Sequence, residues 1–154
     1  MRIIVDSREQ KPFSFKDYPV EVATGTLTTG DYSLAGFEDR VAVERKSLGD
    51  LLGCLTSGRN RFARELERLR GYESVVVVVE APFEHLADGR YRSRMHPDAA
   101  VQSVISIIQE YRMPFSFFPN RIRAERFVFD FLRHFCRHAE ARYAAVCRWR
   151  SASE

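Results

Sequence analysis

The sequence predicts one α/β domain, a mixed sheet of about five strands with helices on both faces. Three observations carry this. Residues 75–79 are five consecutive valines, apolar toward both faces as a central strand covered on each side requires. Short apolar runs near 3–5, 31–34, 41–46 and 115–118 have strand length and are bounded by turn residues. Between them, Phe62, Leu66 and Leu69, and later Val101, Val104, Ile105 and Ile108, recur at helical spacing. At 154 residues, 45% hydrophobic and 12% aromatic, the chain fills one ordinary core over residues 1–150.

In chain order, Ile3, Ile4 and Val5 form a strand that ends in Asp6, Ser7, Arg8 and Glu9. The carboxyl end of such a strand is where an α/β protein exposes functional groups. Pro12, Pro19 and scattered aromatics mark an ordered loop, followed by a short strand near 20–23. The runs 31–34 and 41–46 form a hairpin through the Gly36 to Arg40 connection. Ser47 caps a helix over 48–55, with Gly49 its weak point.

A second helix follows Gly58. Arg64 and Arg68 are expected on its solvated face, in i to i+4 pairs with Glu65 and Glu67. Arg59 and Arg61 lie at its start, where a helix N-terminus seats phosphate, and are expected to contact a DNA backbone. Residues 81–97 read as a loop in which Arg90, Arg92 and Arg94 interleave with Tyr91. That loop either tracks a phosphate backbone, with Tyr91 stacked on an unpaired base, or is a plain basic surface loop.

The helix at 98–112 places Val101, Val104, Ile105 and Ile108 on one packing face. A final helix begins near Ile122, and its Phe127, Phe131 and Phe135 stripe, with Val128 and Leu132 beside it, is wide for so small a domain. Packing on the sheet accounts for part of that stripe, and an isologous homodimer contact is the other reading. The Arg-rich tail from about 139, with Trp149, is expected to fray, bind DNA or dock a partner.

The hairpin holds the chemistry. Strand alternation puts Glu44 and Lys46 on one side and Arg45 on the other, and antiparallel pairing brings Asp31 to Glu44 and Lys46. Two adjacent carboxylates repel unless a hard divalent cation neutralises them, and magnesium is the natural occupant. Such an ion polarises a phosphate oxygen, and a neighbouring ammonium orients water or offsets developing charge. Only three of the 24 basic residues are lysines, Lys11, Lys16 and Lys46. A chain that prefers arginine keeps lysine where a compact charge is needed.

Taken together, VDSRE at 5–9, GD at 30–31 and VERKSLGD at 43–50 resemble the XPF-type endonuclease family. Its signature is GD, a variable stretch, ERK, three residues and D. The resemblance continues through 58–69 and 74–80 and becomes diffuse after about residue 100. It implies a restriction-endonuclease-like nuclease that uses Mg2+ or Mn2+ and cuts DNA near branches, flaps or junctions, in repair or recombination. It makes Asp31 and Glu44 metal ligands, with the Arg45 carbonyl a third contact, and Lys46 the catalytic lysine. Asp6 matches the upstream acid near the metal, Arg8 and Glu9 the rest of that motif, and Asp50 the closing acid.

Family members usually carry tandem helix-hairpin-helix domains, and some a helicase, for which 154 residues leave no room. Substrate positioning is therefore expected from the nuclease domain, a homodimer or another polypeptide. The alternative is a catalytically silent DNA-binding or scaffolding module of the same fold, against which the intact Asp31, Glu44 and Lys46 argue.

A net charge of +3 and a pI near 8.9 permit DNA binding without requiring it. Cys54, Cys136 and Cys147 have no metal-ligand spacing, and His96 has no paired ligand. A reducing cytoplasm, with Cys54 in the core and no disulfide, is expected. No run approaches a membrane span.

Overall fold

A six-stranded sheet with strand order β2-β1-β3-β4-β5-β6 carries the fold. It is seen in a computed structural model that describes residues 1–151. The strands are β1 (Arg2–Asp6), β2 (Glu21–Gly25), β3 (Tyr32–Leu34), β4 (Val41–Lys46), β5 (Ser74–Val79) and β6 (Phe115–Phe117). The helices are α1 (Leu48–Leu55), α2 (Arg59–Arg70), α3 (Phe83–Ala87), α4 (Pro97–Tyr111) and α5 (Arg121–Ser151). β3 pairs antiparallel with β1 and β4, while β1–β2, β4–β5 and β5–β6 are parallel. The mixed α/β sheet is as expected, with six strands in place of about five. The short strand expected near 20–23 is β2, an edge strand whose side chains are mostly exposed.

The five valines divide between two layers. Val76 and Val78 pack with Ile3, Val5, Val41 and Val43 against α5 and against Phe13 and Phe15 of the loop after β1. Val77 and Val79 pack with Ala42 beneath α1, α2 and α4. The parity of β4 follows from this. Glu44 and Lys46 share the side of Ala42, facing α1 and α2, and Arg45 shares the side of Val41 and Val43.

Three expectations are corrected. Helix α4 buries Ala100 and Val104, with Ile107 and Tyr111 partly covered, so Ile105 and Ile108 are exposed. Its apolar residues run all round the helix, and the small Ala100 selects the face of closest approach. On α5 the sheet-facing ladder is Ala124, Val128, Leu132 and Phe135 with Phe129, while Phe127 and Phe131 lie on its flank. The segment after residue 80 contains the short helix α3, and Tyr91 packs on the core with its hydroxyl donating to the Met95 carbonyl at 3.1 Å. Tyr91 is therefore half-buried, with its hydroxyl committed. The tail from about 139 continues α5 through Ser151, and residues 152–154 lie outside the described residues. Among the described residues no helix is long and apolar enough to cross a membrane.

Candidate active site

Gly30 makes the site possible. Its φ of +81° is a conformation glycine adopts without strain, and a Cβ there would meet the Ala42 Cβ at 3.1 Å and the Val43 carbonyl oxygen at 3.3 Å. The chain can thus bend against β4 and deliver Asp31 between the ends of β1 and β4. The Asp31 amide donates to the Val43 carbonyl, the Asp6 amide donates to the Asp31 carbonyl, each at 2.8 Å, and the Arg45 amide donates to Asp31 Oδ2 at 2.7 Å. Asp31 is clamped by backbone on both sides.

Glu44 and Lys46 project into the same layer. The Lys46 ammonium pairs with Glu44 Oε1, lies 3.6 Å from Glu65 Oε2 on α2 and sits over the Phe62 ring at 5.1 Å. Burial lifts the Asp31 carboxyl from its ordinary 3.8 to about 6, against the pull of the Arg45 amide and the Lys46 charge. Burial also raises the Glu44 carboxyl well above its usual range, and Asp31 adds to this. Burial alone would depress the Lys46 ammonium, but Glu44 and Glu65 hold it above its ordinary value. The second oxygen, Glu44 Oε2, is buried and has no hydrogen-bond partner among the described residues.

A half-buried Asp31 and a buried Glu44, both held toward neutrality and the second with an orphaned oxygen, fit a divalent cation, which would stabilise both ionised forms at once. Among the described residues no group of three or more His, Cys, Asp or Glu side chains could hold a metal ion. A cation here would rest on the Asp31 and Glu44 pair. Magnesium is commonly bound in that way, through one or two carboxylates with water and phosphate completing its shell.

The other residues of the motifs have separate positions. Asp6 is buried with both oxygens committed: Oδ1 accepts from the Arg8 amide and Nε, and Oδ2 from Arg8 Nη2 and the Leu27 amide. Burial would raise its pKa, yet these bonds hold it below the ordinary value. Asp6 fixes Arg8 and the approach to Gly30, with no free lone pair for a metal. Arg45 points to the opposite layer, where it meets Glu80 at 2.5 Å, Glu9 at 3.5 Å and the Phe13 ring at 5.8 Å. Arg121 of α5 reaches the same Glu80 at 3.0 Å. Asp50 closes a capping box with Ser47 and starts α1.

A cleft of about 620 Å³ opens over Asp31, Glu44 and Lys46, bordered by Arg8, Lys11 and Arg61. A second, of about 390 Å³, shares Arg8, Asp31, Lys46 and Arg61 and adds Glu65 and Arg68. Arg61 therefore stands beside the carboxylates. Arg59 instead borders a small cavity against α4. Neither Arg90, paired with Asp88, nor Arg92 borders either cleft.

Sequence reasoning missed Glu65 and placed Arg68 on the solvated face. The signal was available in the helical spacing. Arg61, Glu65 and Arg68 stand at i, i+4 and i+7, a row along one flank of the Phe62, Leu66 and Leu69 stripe, whereas Arg64 borders neither cleft.

A profile of the ERCC4 domain matches residues 5–131. A Methanocaldococcus jannaschii protein carrying an ATP-dependent RNA helicase name, MJ1505, is 31% identical over 120 residues, 78% of this chain. The Drosophila melanogaster DNA repair endonuclease XPF is 35% identical over 82 residues, 51% of this chain. The chain spans 14% and 8% of the length of these two relatives. XPF from Aeropyrum pernix superposes with a TM-score of 0.72 at 25% identity, covering 97% of this chain and 70% of that one. The same protein in complex with DNA gives 0.70 at 24% identity, covering 88% and 65%.

Proposed function

The chain belongs to the ERCC4 domain family, and on that premise we propose that it is a metal-dependent DNA endonuclease acting at branched, flap or junction structures inside the cell. The observation that carries this reading is the pairing of a half-buried Asp31 with a buried Glu44 that has an orphaned oxygen, set against Lys46 in an open basic cleft. Asp31 and Glu44 would hold one magnesium or manganese ion, with the Arg45 carbonyl beside them. When bound, that ion would polarise a phosphate oxygen and acidify water.

The protein's own groups supply the rest. The Arg45 amide fixes the Asp31 carboxylate, and the glycine bend before it keeps that carboxylate against β4. Lys46, held on two sides by Glu44 and Glu65, places a compact positive charge where the pentavalent phosphate gathers negative charge and where attacking water must be oriented. Arg61 draws the DNA backbone into the cleft. The flank of α5 that carries Phe127 and Phe131 is the face we assign to a homodimer.

Incubating the purified protein with labelled flap, fork, four-way junction and linear duplex DNA, with and without magnesium, tests the reading. Incision of a branched substrate only in the presence of the ion supports it. Binding without incision under every condition would favour the silent scaffold, and equal incision of linear duplex would remove the branch preference.

Two further outcomes are expected. Glu65→Gln should lower the turnover rate by roughly tenfold, because Lys46 loses one of its two anchors, while magnesium affinity stays unchanged. Calorimetric titration with manganese beside the cleavage assay checks both parts, and weakened metal binding would make Glu65 a ligand. The second outcome concerns pH. The Asp31 pKa is raised on folding, from 3.8 to about 6, so the metal-free native state binds the extra proton between those values. Its stability is fully supported below pH 4 and declines as the pH rises through 6. The increase in Tm produced by magnesium should therefore grow across that window and be small at pH 4, as measured by thermal melts in matched buffers.

A further inference from the structure

The flank of α2 that faces the site holds more positive charge than its partners account for. In a helix, Glu65 has Arg61 four residues before it and Arg68 three residues after it, and either would ordinarily pair with it. Glu65 instead turns to Lys46 at 3.6 Å, and neither Arg61 nor Arg68 forms an ion pair with it or with any other carboxylate among the described residues. The cleft of about 390 Å³ that they border is lined on its other side by Asp6, Arg8, Thr28, Thr29 and Asp31. Every acid in it is already engaged. Asp6 is saturated by Arg8 and the Leu27 amide, Glu65 lies beside Lys46, and Asp31 belongs to the carboxylate pair. Among the described residues, two guanidinium groups remain without a carboxylate partner, the Arg8 Nη1 corner makes no hydrogen bond, and the exposed Thr28 hydroxyl makes none either.

Guanidinium forks and a hydroxyl converging on one pocket suit the oxygens of a single phosphodiester. This pocket is also continuous with the catalytic cleft, because Arg8, Asp31, Lys46 and Arg61 border both. We propose that the second cleft seats the phosphate adjacent to the one that is cut. The cleaved strand would then cross the Asp31 and Lys46 ridge from the Lys11 side toward Arg68. This rests on the endonuclease reading, and fixes the path of the strand and the contact that sets its register.

The test uses the full chain, Arg68→Gln, and Arg64→Gln as a control that borders neither cleft. Cleavage is measured on a set of branched substrates, each with one neutral methylphosphonate in place of a phosphate beside the cut. For the wild type, neutralising one neighbouring phosphate should lower kcat/KM by roughly tenfold. Arg68→Gln should show that loss on unmodified DNA and no further loss at that one position, while Arg64→Gln behaves as wild type. The slope of log K against log salt for metal-free DNA binding should also fall by about one in Arg68→Gln.

Loss in Arg68→Gln that is the same whichever phosphate is neutralised, or an unchanged salt slope, would overturn the seat while leaving cleavage intact. A changed salt slope in a protein that never cuts DNA would retain the seat and remove the endonuclease reading.

Discussion

Asp31→Asn is expected to reduce cleavage by about 10³-fold or more, on the order of 4 kcal/mol of barrier, while leaving DNA affinity nearly unchanged. The asparagine is isosteric, and its carbonyl oxygen can still accept the Arg45 amide that holds Asp31 at 2.7 Å, so the bend after Gly30 is retained. What disappears is half of the charge that would hold a divalent ion. Burial disfavours the ionised Asp31 and Glu44 side by side, so removing one charge should raise the metal-free Tm at neutral pH and have little effect at pH 4. Magnesium should stabilise the wild type and not the variant. Cleavage rates, fluorescence anisotropy with labelled DNA and paired thermal melts measure the three effects. An active Asp31→Asn variant in excess magnesium would refute the assignment.

Arg45→Met should act on stability in place of chemistry. The Arg45 side chain is 8% exposed and joins Glu80, 14% exposed, and Glu9, 8% exposed, beneath the loop that carries Phe13. Methionine leaves that pair of buried carboxylates with, among the described residues, only Arg121 to answer Glu80. Removing one partner of a buried ion pair costs roughly 3 kcal/mol, because the remaining charge is stranded. For a chain of this size that lowers Tm by roughly 6 to 12 °C. The amide of residue 45 still supports Asp31, so turnover per folded molecule, measured well below the melting range, should fall far less than in Asp31→Asn. A normal Tm with lost turnover would move Arg45 into the reaction itself.

These two variants separate residues that the motif presents as neighbours. Period-two alternation was enough to read that Glu44 and Lys46 share a face and that Arg45 leaves it, and β4 has that parity. Alternation cannot say what waits on the other side. The Glu80 and Glu9 partners of Arg45 come from segments 35 and 36 residues away, and Arg121 of α5 joins them only through the tertiary fold. The position of Asp6 had the same limit. Its place at the end of β1 was legible, but its saturation by Arg8 and the Leu27 amide depends on a loop with no periodicity.

For the fold, the valine run and the hairpin announced the central strands, since burial on both faces or on one leaves a distinct pattern. β2 is legible near 20–23 but its bounds, Glu21–Gly25, are weakly marked, because an edge strand is stabilised largely by backbone pairing with β1, which any side chain permits. α4 misled because isoleucines stand on both sides of it, and only the packing of α1 and α2 determines which side is covered. Glu65 was readable in principle. Its spacing from Arg61 and Arg68 fits a solvated ion-pair row as well as a site wall, and only the proximity of Lys46 decides between them.

The central claim is that Asp31 and Glu44 share one divalent cation. Anomalous diffraction from crystals soaked in manganese tests it most directly. The account predicts a single anomalous peak between the Asp31 carboxylate and Glu44 Oε2, absent from Asp31→Asn crystals treated in the same way. A peak held by other side chains, or none at manganese concentrations that support cleavage, would contradict it.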